Sequence, residues 1–372
     1  MKISILQNKL KEGLNIIGRA TSRSATLPIL KNVLLRTEDN FLNLSATDLE
    51  IGIKWWTLVK VEKEGSTTVP YGSFSSFMNF LPDEQVDISV ENNNLSLKCK
   101  DYRTQLNGMD PEEFPIIPEV EESNRITLSS DALCEGLMQI IDVPSLSKVK
   151  PEISGVLFLF KGKELKLVAT DSYRLAEKKI SFKEKEDDFS FIIPQRTARE
   201  VINILKDTGK DVEIVFGENQ VLFKVKMEEF DHSYIEITSK IIEGNYPDYE
   251  SIIPAELKTQ IVMNREEFLN KIKAASVFTS KVNEINLQFI PEEGEVVVKS
   301  SNTDLGNYEA KVKGRSEGEE TAISFNYRFL VDGLSNIKSS EVIFEVNDEN
   351  SPGILRPVGK DDFLYVVMPI KN

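Results

Sequence analysis

Apolar positions along this chain follow two periods. Leu10, Leu14 and Ile17 recur at spacings of four and three, the interval that lines one face of a helix, and Ile3 and Ile5 alternate just before them as a strand would. The same arrangement returns twice. Leu133, Leu137 and Ile140 follow the alternating Ile126 and Leu128, and Phe268, Ile272 and Ala275 follow Ile261 and Met263. Farther on, Leu42 and Leu44 lead into Ala46-Thr47-Asp48, Leu165 and Leu167 into Ala169-Thr170-Asp171, and Val296 and Val298 into Asn302-Thr303-Asp304. A second helical stripe comes next in each case: Phe74, Phe77 and Leu81, then Ala198, Val201 and Leu205, then Tyr327, Leu330 and Leu334. Three landmarks keeping one order in three places predict a triplicated architecture.

Each copy reads as two helices and roughly seven or eight short strands, because period-two runs such as Val86/Ile88/Val90 and Val221/Phe223/Val225 fill the remainder. A helix with one apolar stripe must bury it, and the sheet faces are the available partner, so the class is α+β. Proline and acid cluster from Asp110 to Glu122 and from Tyr246 to Lys258, which reads as two connectors. The expected domains are 1–120, 121–252 and 253–372.

Composition removes several kinds of chemistry. One histidine, His232, and two cysteines, Cys99 and Cys134, cannot assemble a zinc cage or a metalloprotease helix. The Gly-Lys pairs at Gly162, Gly209 and Gly359 are followed by acids rather than Ser or Thr, so there is no phosphate-binding loop. No cofactor is expected. The repeated Asp48, Asp171 and Asp304 resemble catalytic carboxylates only superficially. General acid–base work needs two groups in different environments, whereas a Thr-Asp pair at a strand end fixes a turn. The opening residues break their apolar run with amides and lysines, which argues against a secretory leader and for a cytoplasmic protein.

The chain carries 60 acidic against 45 basic residues, a net charge of −15. Acidity ordinarily argues against nucleic acid, since phosphates are neutralised by Lys and Arg. The predicted helices, taken together, are nevertheless net basic, which leaves the strands and loops more acidic than the whole. Helices on one surface and sheets on another would give those surfaces opposite character.

The runs Leu27-Pro28-Ile29-Leu30, Ala46-Thr47-Asp48-Leu49-Glu50, Val168 to Ala176, Glu243 to Tyr249, and the closing Val366-Val367-Met368-Pro369-Ile370 resemble the bacterial replicative sliding clamps, the β subunits of DNA polymerase III. The resemblance runs the whole length. It implies three tandem clamp domains forming half of a ring, closed as a head-to-tail homodimer around double-stranded DNA without sequence specificity and without catalysis. Implied partners are the DNA polymerase III catalytic subunit, a clamp loader and other proteins carrying a short clamp-binding motif. The implied partner-peptide pocket comprises Ile153, Thr170, Ser172, Tyr173, Arg174, Leu175, Pro247, Ile252, Val366, Met368, Pro369 and Ile370. Tyr173 stands where histidine is common in the family. DNA-facing positions carry over to Arg23, Lys148, Lys150 and Arg196, while Ser24 and Gly72-Ser73 replace basic residues. The ring seam is expected at Arg103 and Leu106 against Ala275, Ser276, Val277 and Asp304 to Glu309 of the other copy. The competing readings are an acidic three-module scaffold or adhesion protein with no DNA role, and a hydrolase using the repeated aspartates.

Overall fold

A computed structural model describes residues 1–21, 27–120, 124–145, 150–230 and 232–371, with backbone alone at 183–187. Among them lie six α-helices: α1 Gln7–Ile17, α2 Tyr71–Met78, α3 Ser130–Ile140, α4 Gln195–Leu205, α5 Arg265–Ala275 and α6 Tyr327–Asn336. Two fall in each third, at the places the stripes mark. Leu10, Leu14 and Ile17 of α1, Leu133, Leu137 and Ile140 of α3, and Phe268, Ile272 and Ala275 of α5 are all buried. The second helix of the first third is shorter than its stripe suggests. It stops at Met78, leaving Leu81 beyond its end, and Pro82 follows, a residue that cannot continue a helix.

Every one of the six begins at the residue directly after a strand. The first helix of each third is anchored the same way: the N–H groups of Gln7, Ser130 and Arg265 donate to the carbonyls of Glu84, Lys210 and Ser340 at 2.9, 3.0 and 2.9 Å. Each acceptor immediately precedes the strand that follows the second helix, so one backbone bond closes the same circuit three times. At the starts of α5 and α6, Asn264 and Asn326 cap with their side chains, accepting from Glu267 and Arg328 at 2.9 and 3.0 Å.

The strands form three sheets, and all of their pairings are antiparallel. Lys60–Lys63, Lys2–Leu6, Gln85–Glu91, Asn94–Cys99 and Tyr102–Leu106 make a five-stranded sheet in that order. The eight-stranded sheet joins strands of the first and central thirds, with Ile51–Leu58 against Ser233–Lys240. In the ten-stranded sheet, which joins the central and last thirds, Arg174–Pro194 lies against Phe363–Val367. Because sheets run across the sequence repeats, the chain packs as two compact units rather than three. One is Met1–Asp131 with Glu200–Ile241, and the other is Ala132–Arg199 with Ile242–Asn372. No helix among the described residues is long and apolar enough to cross a membrane.

The repeated Thr-Asp segments are turns. Thr47 donates through Oγ1 to the Ile51 carbonyl (2.9 Å) and accepts the Leu49 N–H, while Asp48 accepts the N–H groups of Glu50 and Ile51. Thr170 and Asp171 reproduce these bonds one for one, and Leu49 and Ser172 share a left-handed backbone, φ 76° and 77°. The third copy departs from this. There Asn302 accepts the N–H groups of Asp304 and Leu305 at 2.9 and 3.2 Å, so the asparagine takes the place of the Thr-Asp pair. His232 stacks on Phe41 at 4.1 Å.

Candidate partner-binding groove

The strand Gly155–Thr170 folds back at Asp171 into Arg174–Pro194. This turn carries Thr170, Ser172, Tyr173 and Arg174 of the expected pocket. The left-handed Ser172 throws Tyr173 outward, where its side chain is 65% exposed, and the Tyr173 carbonyl accepts the Met368 N–H at 2.8 Å. The C-terminal segment therefore lies directly beside the turn. Farther along, Ile370 donates to the Ser324 carbonyl at 2.8 Å, which holds the tail to the strand Thr321–Asn326.

Arg174 is fixed on every side. Its Nε binds Asp171 at 3.0 Å, one terminal nitrogen binds the Asp332 carboxylate, and the other donates to the Asp142 carbonyl at 3.0 Å. The guanidinium also lies over the Phe329 ring, 4.8 Å from its centroid, and the Tyr173 ring stacks on that phenylalanine at 6.4 Å and 20°. Phe329 on α6 was not among the expected residues. The available signal was an aromatic side chain one position off the buried Leu330–Leu334 stripe. Tyr365 secures the same helix by donating to the Phe329 carbonyl at 2.9 Å. Burial pushes its phenol up, against the pull of Arg174, so it stays a donor.

Beneath this shelf, Leu175 and Val366 sit opposite each other across the strand pair. Both are fully buried in a cluster with Leu157, Val168, Ile192, Tyr249, Ile354 and Leu364. Tyr249 pins the connector above it by donating to Glu177 at 2.6 Å, and Lys166 bridges to Glu250 at 2.8 Å. Burial first, and Glu177 next, push the Tyr249 phenol up. On that connector Pro247 is exposed and Ile252 is 42% exposed. Ile153 is buried, and the Ser145 N–H reaches both its carbonyl (3.1 Å) and that of Thr170 (3.3 Å). Half-buried Met368, Pro369 and Ile370 complete the set.

Of the expected DNA-facing residues, Lys150 is exposed ahead of the turn Pro151–Ser154, and Arg196 is exposed on the first turn of α4. Arg23 and Lys148 lie outside the described residues. Of the expected seam residues, Arg103 is exposed and Leu106 half-buried on the outermost strand of the five-stranded sheet. Val277 is 63% exposed in the turn Ser276–Phe278, whereas Ala275 is fully buried on the core face of α5. Asp304 lies in the Asn302 turn, and Glu309 stands 3.7 Å from Lys299.

The profile of the DNA polymerase III beta subunit N-terminal domain matches residues 1–118, that of the central domain 127–248, and that of the C-terminal domain 250–371. The beta sliding clamp of Bacillus subtilis is 30% identical over 385 residues, covering 100% of both chains. That of Synechocystis is 28% identical over 397 residues, covering 100% of this chain and 99% of the other. Among solved structures, a DNA polymerase sliding clamp from Bacillus subtilis superimposes with a TM-score of 0.94 at 28% identity, covering 100% of this chain and 99% of that one. A sliding clamp from Pseudomonas aeruginosa bound to griselimycin gives 0.94 at 26% identity, with 100% coverage of both. Triplicated in sequence, folded as these clamps fold and matched from end to end, the chain belongs to the DNA polymerase III beta subunit family, the sliding clamps that serve DNA replication as non-catalytic processivity factors.

Proposed function

We propose that two copies of this chain join head to tail into a ring around duplex DNA in the cell interior. The groove over the Thr170 turn and the C-terminal tail then takes short peptide segments of the replicative polymerase, the clamp loader and other partners. The observation that carries this reading is a pair of open strand edges. Among the described residues Tyr102–Leu106 has a strand on one side only, and residues 306–313 of the strand Gly306–Glu317 pair with Glu295–Asn302 but with no strand on their other side. Open edges are templates for pairing with another chain, and these lie in the first and last thirds, as a head-to-tail ring requires.

DNA is then retained by topology, which lets an acidic protein serve it, with Lys150, Arg196, Arg23 and Lys148 making weak, salt-sensitive phosphate contacts. In the groove, the Tyr173–Phe329–Arg174 shelf supplies an aromatic wall and a fixed cation, and Met368 supplies an adaptable apolar edge. The griselimycin-bound relative supports a ligand-accepting surface on this fold. The acidic-scaffold reading is not favoured, because the relatives that match across the whole length are sliding clamps.

The test is retention on DNA. Protein loaded on nicked circular DNA should survive high-salt filtration and be released when the circle is cut; equal retention on circular and linear DNA would refute the ring. Binding of a Gln-containing, Leu/Phe-ended clamp-motif peptide, followed by fluorescence, should be lost on removing Met368 to Asn372, and unchanged affinity would remove the groove assignment.

A further inference from the structure

Glu177 is a carboxylate among apolar side chains. It is buried on the strand Arg174–Pro194, directly opposite Val168 on one side and Leu364 on the other, and both of these belong to the cluster that holds Leu175 and Val366. A charge in such a place costs free energy unless it is paired, and a well-packed apolar residue often serves stability as well. Its partners come from two directions. Lys166 and Lys179, which face each other across the hairpin, stand 3.7 and 4.0 Å away, and the Tyr249 hydroxyl donates to it at 2.6 Å.

Tyr249 and Glu250 open the short turn Glu250–Ile252 on the connector. The sheet grips both of them, Tyr249 through Glu177 and Glu250 through Lys166 at 2.8 Å. The Ile252 N–H donates back to the Tyr249 carbonyl at 3.3 Å, and the Ile253 N–H to the Glu250 carbonyl at 3.2 Å. Holding the first two residues therefore holds the turn and the exposed Ile252 at its end. The charges balance within the group, Lys166 and Lys179 against Glu177 and Glu250.

The first junction, where Ile51–Leu58 meets Ser233–Lys240, lacks this arrangement. Gly52 pairs across its hairpin with Thr47 as Leu175 does with Thr170, so Lys54, two residues on, stands where Glu177 does. The connector residue against Gly52 is Ile117, which carries no hydroxyl. Carboxylate and tyrosine thus occur together at the junction that carries the candidate groove. Resting on the groove reading, we infer that Glu177 is a positioning residue for partner binding: through Tyr249, and through Lys166 to Glu250, it sets where Ile252 stands at the groove. An apolar side chain of the partner peptide then meets a wall already in place and does not have to order the connector as it binds.

The experiment uses the full-length chain and a fluorescent Gln-containing, Leu/Phe-ended clamp-motif peptide. Tyr249→Phe with Glu177→Leu removes the hydroxyl and the carboxylate together and leaves apolar groups in contact, so the urea midpoint should hold. Peptide affinity should nevertheless fall at least about threefold. Ile252→Ala should weaken binding in the wild-type background but by under about twofold in the double variant, where the position it depends on is already lost. Glu250→Gln, at the exposed grip, serves if the double variant does not fold and should show the same dependence on Ile252. Unchanged affinity, or a loss that multiplies in full with that of Ile252→Ala, would overturn the positioning role. Binding that survives removal of Met368 to Asn372 would instead remove the groove reading itself.

Discussion

Arg174 ties three parts of the groove together: the Asp171 turn, the Asp332 carboxylate on α6 and the Asp142 carbonyl. Removing its side chain takes a donor from each of them, although Asp171 keeps the N–H groups of Tyr173 and residue 174. Arg174→Ala should lower unfolding free energy by about 1–3 kcal/mol in urea titrations and weaken clamp-motif peptide binding by roughly tenfold or more. Arg174→Lys should recover little of either, since a point charge cannot reproduce a planar fork held on three sides. The turn aspartates separate in the same assay. Asp48→Ala, which loses acceptor bonds to two N–H groups, should cost about 1–2 kcal/mol, whereas Asp304→Ala should change stability by under about 0.5 kcal/mol, because Asn302 makes the bonds there. No reaction should be lost in either. Alkali gives a third test at this scale. Burial, and then the bond to Glu12, push the Tyr234 phenol up to about 12 from an ordinary 10.0. A raised phenol contributes stability that is complete below pH 10 and disappears as pH rises through the folded-state value, so unfolding free energy should fall between pH 10 and about 12. Tyr234→Phe should flatten that part of the profile.

Among the elements, the six helices were legible from their apolar stripes, since a buried face leaves a periodic mark on the sequence whatever it packs against. Strand partners were not. Period two says which face of a strand is buried but nothing about which strand lies beside it, so the pairings of Ile51–Leu58 with Ser233–Lys240 and of Arg174–Pro194 with Phe363–Val367 carried no local signal. The groove was legible only in part for a related reason: the turn and the tail are contiguous motifs, whereas Phe329 reaches them from a distant helix. The first junction shows how the same backbone serves a different end. At Gly52, the counterpart of Leu175, a Cβ would stand 2.7 Å from the Ile117 side chain, so the chain's own isoleucine occupies the space a larger residue would take. Gly52→Ala should therefore destabilise by about 1–3 kcal/mol through overpacking. Adding Ile117→Ala should return part of that loss, which a double-mutant cycle in urea would measure.

For the whole molecule, the proposed hold on DNA rests on a few exposed side chains rather than on overall charge, which is −15. Lys150→Glu with Arg196→Glu should reduce loader-dependent stimulation of DNA synthesis several-fold, more at low salt than at high, while leaving the native mass unchanged. The crossing of sheets between thirds also governs what any fragment can do. The central third gives four strands to one sheet and two to another, so none of the three repeats owns a closed set of hydrogen bonds. Cut at the connectors and produced separately, the central repeat would bare raw flanks on both of its sheets, and copies should add to one another end on end into insoluble polymers instead of remaining as small soluble modules.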